Sequence, residues 1–166
     1  PDFEKRASDA GVDGLIMVNL PPEEGDKIAQ PLAKQSIDLI YLLAPTTTQE
    51  RSKEIVKVAS GFLYYVSLKG VTGASTLDIN KTNEQLKIIK GIIKLPLAVG
   101  FGIKDANTAK ILSKEADAIV IGSAIVNIIE SEYGDNLANN SSLFSVIRYI
   151  FIKFKFLNFD NCLVPC

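Results

Sequence analysis

Three glycine-bearing segments, each directly after a short apolar run, are the parts of this chain best suited to chemistry. The segments contain Gly73, Gly102 and the pair Gly122-Ser123. The preceding runs are partly β-branched, as buried parallel strands are, and they span residues 62–66, 95–99 and 118–121. Glycine at the carboxyl end of a strand lets backbone N–H groups approach an anion closely. The three segments therefore predict one phosphate cradle built by consecutive loops.

The residue types that are missing narrow the chemistry further. The chain has no histidine, which excludes Ser-His and Cys-His nucleophile pairs, histidine general bases and histidine-ligated metals. Its two cysteines, Cys162 and Cys166, lie together at the end of the chain, where they cannot link distant parts of a core. We predict no metal site, and any catalysis must use carboxylates, lysine, tyrosine or backbone dipoles.

Composition indicates a soluble, cytoplasmic protein. The 166 residues carry a formal net charge of −1, which offers no electrostatic attraction for nucleic acid or an anionic membrane. No apolar run approaches the ~20 residues that a membrane-spanning helix needs. Absence of a disulfide framework is typical of a reducing compartment. We expect a small-molecule ligand, with neither nucleic acid nor membrane as partner.

Strand-like and helix-like segments alternate along most of the chain. Five strands are predicted, at residues 14–20, 38–44, 61–67, 95–100 and 117–122. Helices are predicted between and around them, at residues 3–10, 23–35, 49–59, 81–90, 105–113 and 123–131. Thr48 and Asp105 are suited to cap two of these helices. Alternation at this spacing, without hairpin turns, predicts an α/β fold with a parallel sheet.

Two architectures fit a parallel sheet of this kind, an open doubly wound sheet and a (βα)₈ barrel. The Gly-x-Gly-x-x-Gly fingerprint of a dinucleotide-binding doubly wound sheet is absent. Anion-binding glycines after late strands are typical of barrels. We therefore predict a partial TIM barrel with five parallel strands, whose three N-terminal βα units are missing ahead of Pro1.

The end of the chain differs from the rest. We predict that residues 1–135 form the partial barrel and that residues 136–166 form a divergent C-terminal tail. Apolar residues of the tail fall on one helical face, which favours an amphipathic helix: Leu143, Ile147, Ile150, Phe154 and Leu157. Two alternatives to a helix remain for the tail: a strand, or a segment that never evolved to pack against the barrel.

Several motifs occur in the order and spacing of one known family. They cover residues 11–24, 64–67, 70–74, 100–103 and 122–126. Together they resemble the tryptophan synthase alpha chain family over residues 3–130. The resemblance implies a barrel lyase that cleaves indole-3-glycerol phosphate to indole and glyceraldehyde 3-phosphate in tryptophan biosynthesis. It also implies that the alpha subunit uses no cofactor and delivers indole to a tryptophan synthase beta subunit.

The same resemblance assigns site residues in this chain. Four positions match the residues that bind the substrate phosphate: Gly73, Gly102, Gly122 and Ser123. Five match the wall around the indole: Ile16, Val18, Leu43, Tyr64 and Phe101. Tyr65, next to Tyr64, must point to the opposite side of its strand. An apolar slot that ends in backbone donors suits a flat heterocycle with a phosphate tail.

Two departures from the family pattern qualify the assignment. The family's catalytic glutamate and aspartate lie on elements that would precede Pro1, so the resemblance places no catalytic residue in this chain. Asn19 stands where the family usually has an aspartate. Two alternatives stay open: another phosphosugar-binding barrel enzyme, an isomerase or epimerase, and a non-catalytic remnant that only binds the beta subunit.

Overall fold

One sheet of five parallel strands organises the part of the chain that the structure describes. The computed structural model describes residues 2–67, 78–100, 102–103 and 105–131; Gly73, Phe101 and the predicted tail 136–166 lie outside these ranges. The strands are β1 (Gly14–Met17), β2 (Asp38–Leu43), β3 (Leu63–Val66), β4 (Leu97–Gly100) and β5 (Ala118–Val120). Every neighbouring pair is parallel, and the spatial order is β1-β2-β3-β4-β5.

Helices precede, separate and follow the strands. They are α1 (Phe3–Asp9), α2 (Pro22–Ala33), α3 (Gln49–Val58), α4 (Ile79–Ile92), α5 (Ala106–Leu112) and α6 (Ser123–Ser131). The Thr48 hydroxyl accepts the Arg51 N–H and so caps α3, as predicted. Proline at position 31 does not end α2, which continues to Ala33. None of the helices in the described ranges combines the length and apolar character needed to cross a bilayer.

The strand order decides between the two predicted architectures. In a doubly wound sheet the order reverses at a switch point, where the chain returns to the middle of the sheet. Here each strand lies beside its predecessor throughout the described sheet. Sequential parallel order with intervening helices is the arrangement of a barrel wall. The prediction of an α/β barrel segment is confirmed.

Strand register sorts the side chains of the sheet into two faces. One row across β2–β5 contains Leu42, Tyr64, Ala98 and Ala118, and the next contains Leu43, Tyr65, Val99 and Ile119. Successive residues of a strand point to opposite faces, so these rows lie on opposite sides of the sheet. The row with Tyr65 is buried in the main hydrophobic cluster, together with helix residues that include Leu86 and Ile89. We call the other side the open face.

Asp117 ties the amino ends of two strands to a helix. Its carboxylate accepts a hydrogen bond from the Leu97 N–H at 2.9 Å and pairs with the Lys90 ammonium at 2.7 Å. The Leu97 side chain is fully buried, so the bond satisfies a donor at the edge of the core. Polar contacts therefore hold this amino end of the sheet.

Replacing Asp105 with alanine should lower the free energy of unfolding by about 1 kcal/mol, because the residue caps α5. Its carboxylate accepts the Thr108 N–H and the Thr108 hydroxyl, each at 2.8 Å. These bonds lower the pKa of Asp105 below its usual 3.8. The unfolded chain therefore binds the proton first, so the contribution is present above pH ~3.8 and is lost as pH falls through the lowered pKa.

Urea unfolding at pH 7 and at pH 2 measures this difference. Asp105→Asn is the matched control, because it keeps an oxygen acceptor but cannot be protonated. A wild-type advantage over Asp105→Ala that stays constant down to pH 2 would contradict the assignment.

Candidate anion-binding site and apolar wall

Gly102 and Gly122 occupy equivalent places on neighbouring strands. Gly100 pairs in register with Val120, and each glycine of interest follows two residues later. Adjacent strands lie about 4.8 Å apart, so the two segments leave the sheet side by side at its carboxyl end. Gly102 has φ of +77°, a conformation that other residues rarely adopt. Two of the three predicted cradle segments therefore start at the same place; Gly73 lies outside the described residues.

The helix α6 starts at this same end of the sheet. The Gly122 carbonyl accepts the N–H groups of Ile125 and Val126, which makes Gly122 the cap position and Ser123 the first helical residue. Both Gly122 and Ser123 are exposed. The first N–H groups of a helix have no acceptor within the helix and point outward with the positive end of its dipole. This geometry suits a phosphate group.

The open face provides an apolar wall beside these glycines. Ile16 is 48% exposed although it lies within β1, and Val18, just past the strand, is also exposed. Tyr64 and Val66 are half-buried on the same side of β3. The small residues Ala98 and Ala118 are buried on the same face, in the row that also contains Tyr64. We call this apolar wall, together with the glycines at the carboxyl end of the same sheet, the slot.

Leu43 does not belong to this wall, and its assignment to the indole pocket is corrected. It is 0% exposed and shares a row with Tyr65, on the side packed against the helices. Its neighbour Leu42 pairs with Tyr64 and is half-buried on the open face. Since adjacent strand residues point to opposite faces, Leu42 takes the place predicted for Leu43. Phe101, the fifth predicted wall residue, lies outside the described residues.

Tyr64 packs across Gly100, which explains the first glycine of the Gly100–Gly102 segment. A Cβ added at Gly100 would lie 2.7 Å from Tyr64 Cε2 and 2.9 Å from Cζ, and closer still to the hydroxyl oxygen. Carbon atoms do not approach so closely, so the ring needs a glycine beneath it. Gly100 is therefore required by packing, whereas Gly102 is required by its backbone angle.

Titratable groups near the slot are few. Burial raises the pKa of the Tyr64 phenol, so it stays protonated at neutral pH and acts as a hydrogen-bonding group rather than as a base. Asp38 is the only carboxylate within the five strands, and it lies at the amino end. Glu23, on α2, pairs with Arg51 on α3; the hydrogen bond from this guanidinium lowers the pKa of Glu23. The carboxyl ends of the described strands thus provide apolar side chains and backbone donors for binding but no acid–base pair.

Comparison with known proteins identifies what this chain resembles. Residues 1–148 match the family model of the tryptophan synthase alpha chain. The tryptophan synthase alpha chain of a Polaromonas strain is 51% identical over 136 residues, covering 82% of this chain and 50% of that protein. The Nitrosomonas europaea protein of the same name is 47% identical over 148 residues, covering 89% of this chain and 54% of that protein.

Solved structures agree with these sequence matches. Tryptophan synthase subunit alpha from Legionella pneumophila superposes with a TM-score of 0.74 at 38% identity, covering 90% of this chain and 56% of that one. The Pyrococcus furiosus A-subunit gives 0.70 at 32% identity, covering 86% and 59%. This chain therefore spans about half the length of the relatives it matches. The family match also runs to residue 148, beyond residue 130, where the resemblance recognised in the sequence ends.

Proposed function

This chain belongs to the tryptophan synthase alpha chain family, and we propose that it carries the phosphate-binding and indole-binding half of a lyase site for indole-3-glycerol phosphate. The observation that carries the proposal is the slot itself. An apolar wall with Ile16 and Tyr64 leads to Gly102, Gly122 and the first turn of α6. A flat aromatic ring with a phosphate tail matches both ends of such a slot.

Each part of the slot has a distinct task in this proposal. Ile16, Val18, Leu42 and Tyr64 bury the indole ring and orient it. Backbone N–H groups near Gly102, Gly122 and Ser123 hold the phosphate. The family resemblance adds Gly73 to the phosphate-binding residues and Phe101 to those around the indole. Binding the indole ring and the phosphate group together fixes the orientation of the substrate. These residues can make that contribution without supplying an acid or a base.

The cleavage itself needs general acid–base chemistry. One carboxylate protonates the indole ring at C3, and a second removes the proton of the glycerol hydroxyl, so that the carbon–carbon bond breaks to give indole and glyceraldehyde 3-phosphate. Asp38 is unsuited to either role, because it lies at the amino end of β2, whereas the glycines lie at the carboxyl end of the sheet. We propose that the acid and base come from elements other than the described strands, and that this chain alone turns over no substrate.

We further propose that the beta subunit of tryptophan synthase is the protein partner, as the family resemblance implies. The alternative of an isomerase or epimerase is less well supported. Residues 1–148 match the tryptophan synthase alpha chain family, which favours the lyase over these reactions. A remnant that binds the beta subunit without catalysis is distinguished by whether phosphate ligands bind at all.

Gly122→Ala should weaken binding of indole-propanol phosphate, a non-cleavable substrate mimic, by about tenfold or more. The added methyl group would meet no described atom within 4 Å, so the chain can accommodate it, and we propose that it occupies space needed by the phosphate. Alanine is also a poorer helix cap than glycine, so the unfolding midpoint is measured alongside the affinity. Isothermal titration of the purified chain measures the affinity.

Gly91→Ala is the matched control. Gly91 lies in α4, and a Cβ there also meets nothing within 4 Å. We expect unchanged ligand affinity and about 0.5–1 kcal/mol of added stability from the better helix former. Equal affinities for the two variants, or no binding by the wild type at millimolar ligand, would refute the phosphate site.

A further inference from the structure

Ser67 makes an unusual pair of hydrogen bonds where β3 and β4 end. Its backbone N–H donates to the Gly100 carbonyl at 3.0 Å, as a parallel ladder requires. Its hydroxyl donates to the same oxygen at 2.7 Å. The side chain is only 7% exposed. A single residue therefore supplies two donors to the last carbonyl of the neighbouring strand.

The second donor is not needed to continue the sheet. The backbone N–H alone satisfies the ladder. Ser52, another buried serine, bonds the Thr48 carbonyl four residues earlier, within its own helix. The Ser67 bond instead joins residues 33 positions apart, on two strands. Its effect is to fix one strand end relative to the other.

Gly100 is consequently held from two sides. The Tyr64 ring packs against its Cα, where a side chain would otherwise stand. Ser67 holds its carbonyl oxygen, and because a peptide group is planar, this fixes the plane of the bond that leaves Gly100. Two residues later the chain passes through the left-handed conformation of Gly102. The Gly100 carbonyl is thus the last described group of β4 before the Gly102 segment, and its orientation is fixed by Ser67.

We propose that Ser67 is a positioning residue for the phosphate end of the slot. Its hydroxyl orients the peptide after Gly100 so that backbone donors around Gly102 converge with those of Gly122 and Ser123 on one anion. The inference rests on the proposed function, since it concerns that same site. It predicts that the hydroxyl matters for ligands with a phosphate group and not for the indole ring alone.

The test compares Ser67→Thr with Ser67→Val. Threonine and valine have nearly the same shape, so the two variants share any strain from the added volume and differ only in the hydroxyl. Affinities for indole-propanol phosphate and for indole are measured by titration of the whole chain. We expect Ser67→Thr to bind both ligands like the wild type. We expect Ser67→Val to lose about threefold to tenfold in affinity for the phosphate ligand, with indole affinity unchanged.

Three results would overturn the inference, and they are distinguishable. Equal phosphate-ligand affinities for the threonine and valine variants would show that the hydroxyl does not position the site. Equal losses for both ligands in Ser67→Val would show a general structural role. A wild-type chain that binds indole-propanol phosphate no better than indole would refute the proposed function, and the inference with it. If neither β-branched variant folds, Ser67→Ala against wild type is judged by the same ratio of affinities.

Discussion

Replacing Leu43 with alanine should lower the free energy of unfolding by about 2–5 kcal/mol, whereas Leu42→Ala should cost considerably less. Leu43 is fully buried between the sheet and the helices, so truncation leaves a cavity in the core. Leu42 is half-buried on the open face and loses fewer contacts. Urea unfolding of both variants measures the two values.

Ligand binding should rank the same two variants in the opposite order. Leu42→Ala should weaken indole binding by about tenfold, because it removes part of the wall next to Tyr64. Leu43→Ala should retain the affinity of the wild type under conditions where it is folded. If Leu43→Ala instead lost indole binding while keeping its stability, the assignment of the two sheet faces would be wrong.

Gly100→Ala should destabilise the chain by about 1–3 kcal/mol through overpacking. The new methyl group would lie 2.7 Å from Tyr64 Cε2, so the ring must leave its position over the strand. The φ angle of Gly100 lies outside the left-handed region, so alanine adds no backbone strain there. Displacement of the ring should also weaken indole binding. The midpoint of urea unfolding and the indole affinity measure the two effects.

Substitutions at Tyr64 test whether its ring causes the destabilisation by Gly100→Ala. Tyr64→Ala removes the ring, so the double variant should be more stable than the sum of the single effects predicts, by about 0.5–3 kcal/mol. Tyr64→Phe removes only the hydroxyl and leaves Cε2 and Cζ in place, so it should restore much less. Additive effects in the alanine double variant would mean that Gly100 is required for another reason.

Much of the fold follows from local patterns in the sequence. The strand and helix order and the caps at Thr48 and Asp105 are confirmed. These features depend on residues a few positions apart, which interact within one element. The predicted ends of the strands and helices are less exact than their order. Strand β1 ends at Met17 rather than at residue 20, so Val18 lies beyond it.

The side chains that line the candidate site are harder to predict from the sequence, as strand β2 illustrates. Its residues Asp38–Leu43 form a nearly continuous apolar run, because both faces of the strand are covered or lined by apolar groups. No alternation of polar and apolar residues shows which of Leu42 and Leu43 lies on the open face. The pairing of Leu42 with Tyr64 decides it, and that pairing joins residues 22 positions apart.

The family, the alternation of strands and helices and the position of the glycines after the strands could all be predicted from the sequence alone. Those properties reside in short motifs whose chemistry is independent of their neighbours in space. The three-dimensional arrangement was needed to show which side chains share a face, why Gly100 must lack a side chain, and that Ser67 joins two strand ends. Strand register is the physical reason, since a shift of one residue sends every side chain to the opposite face.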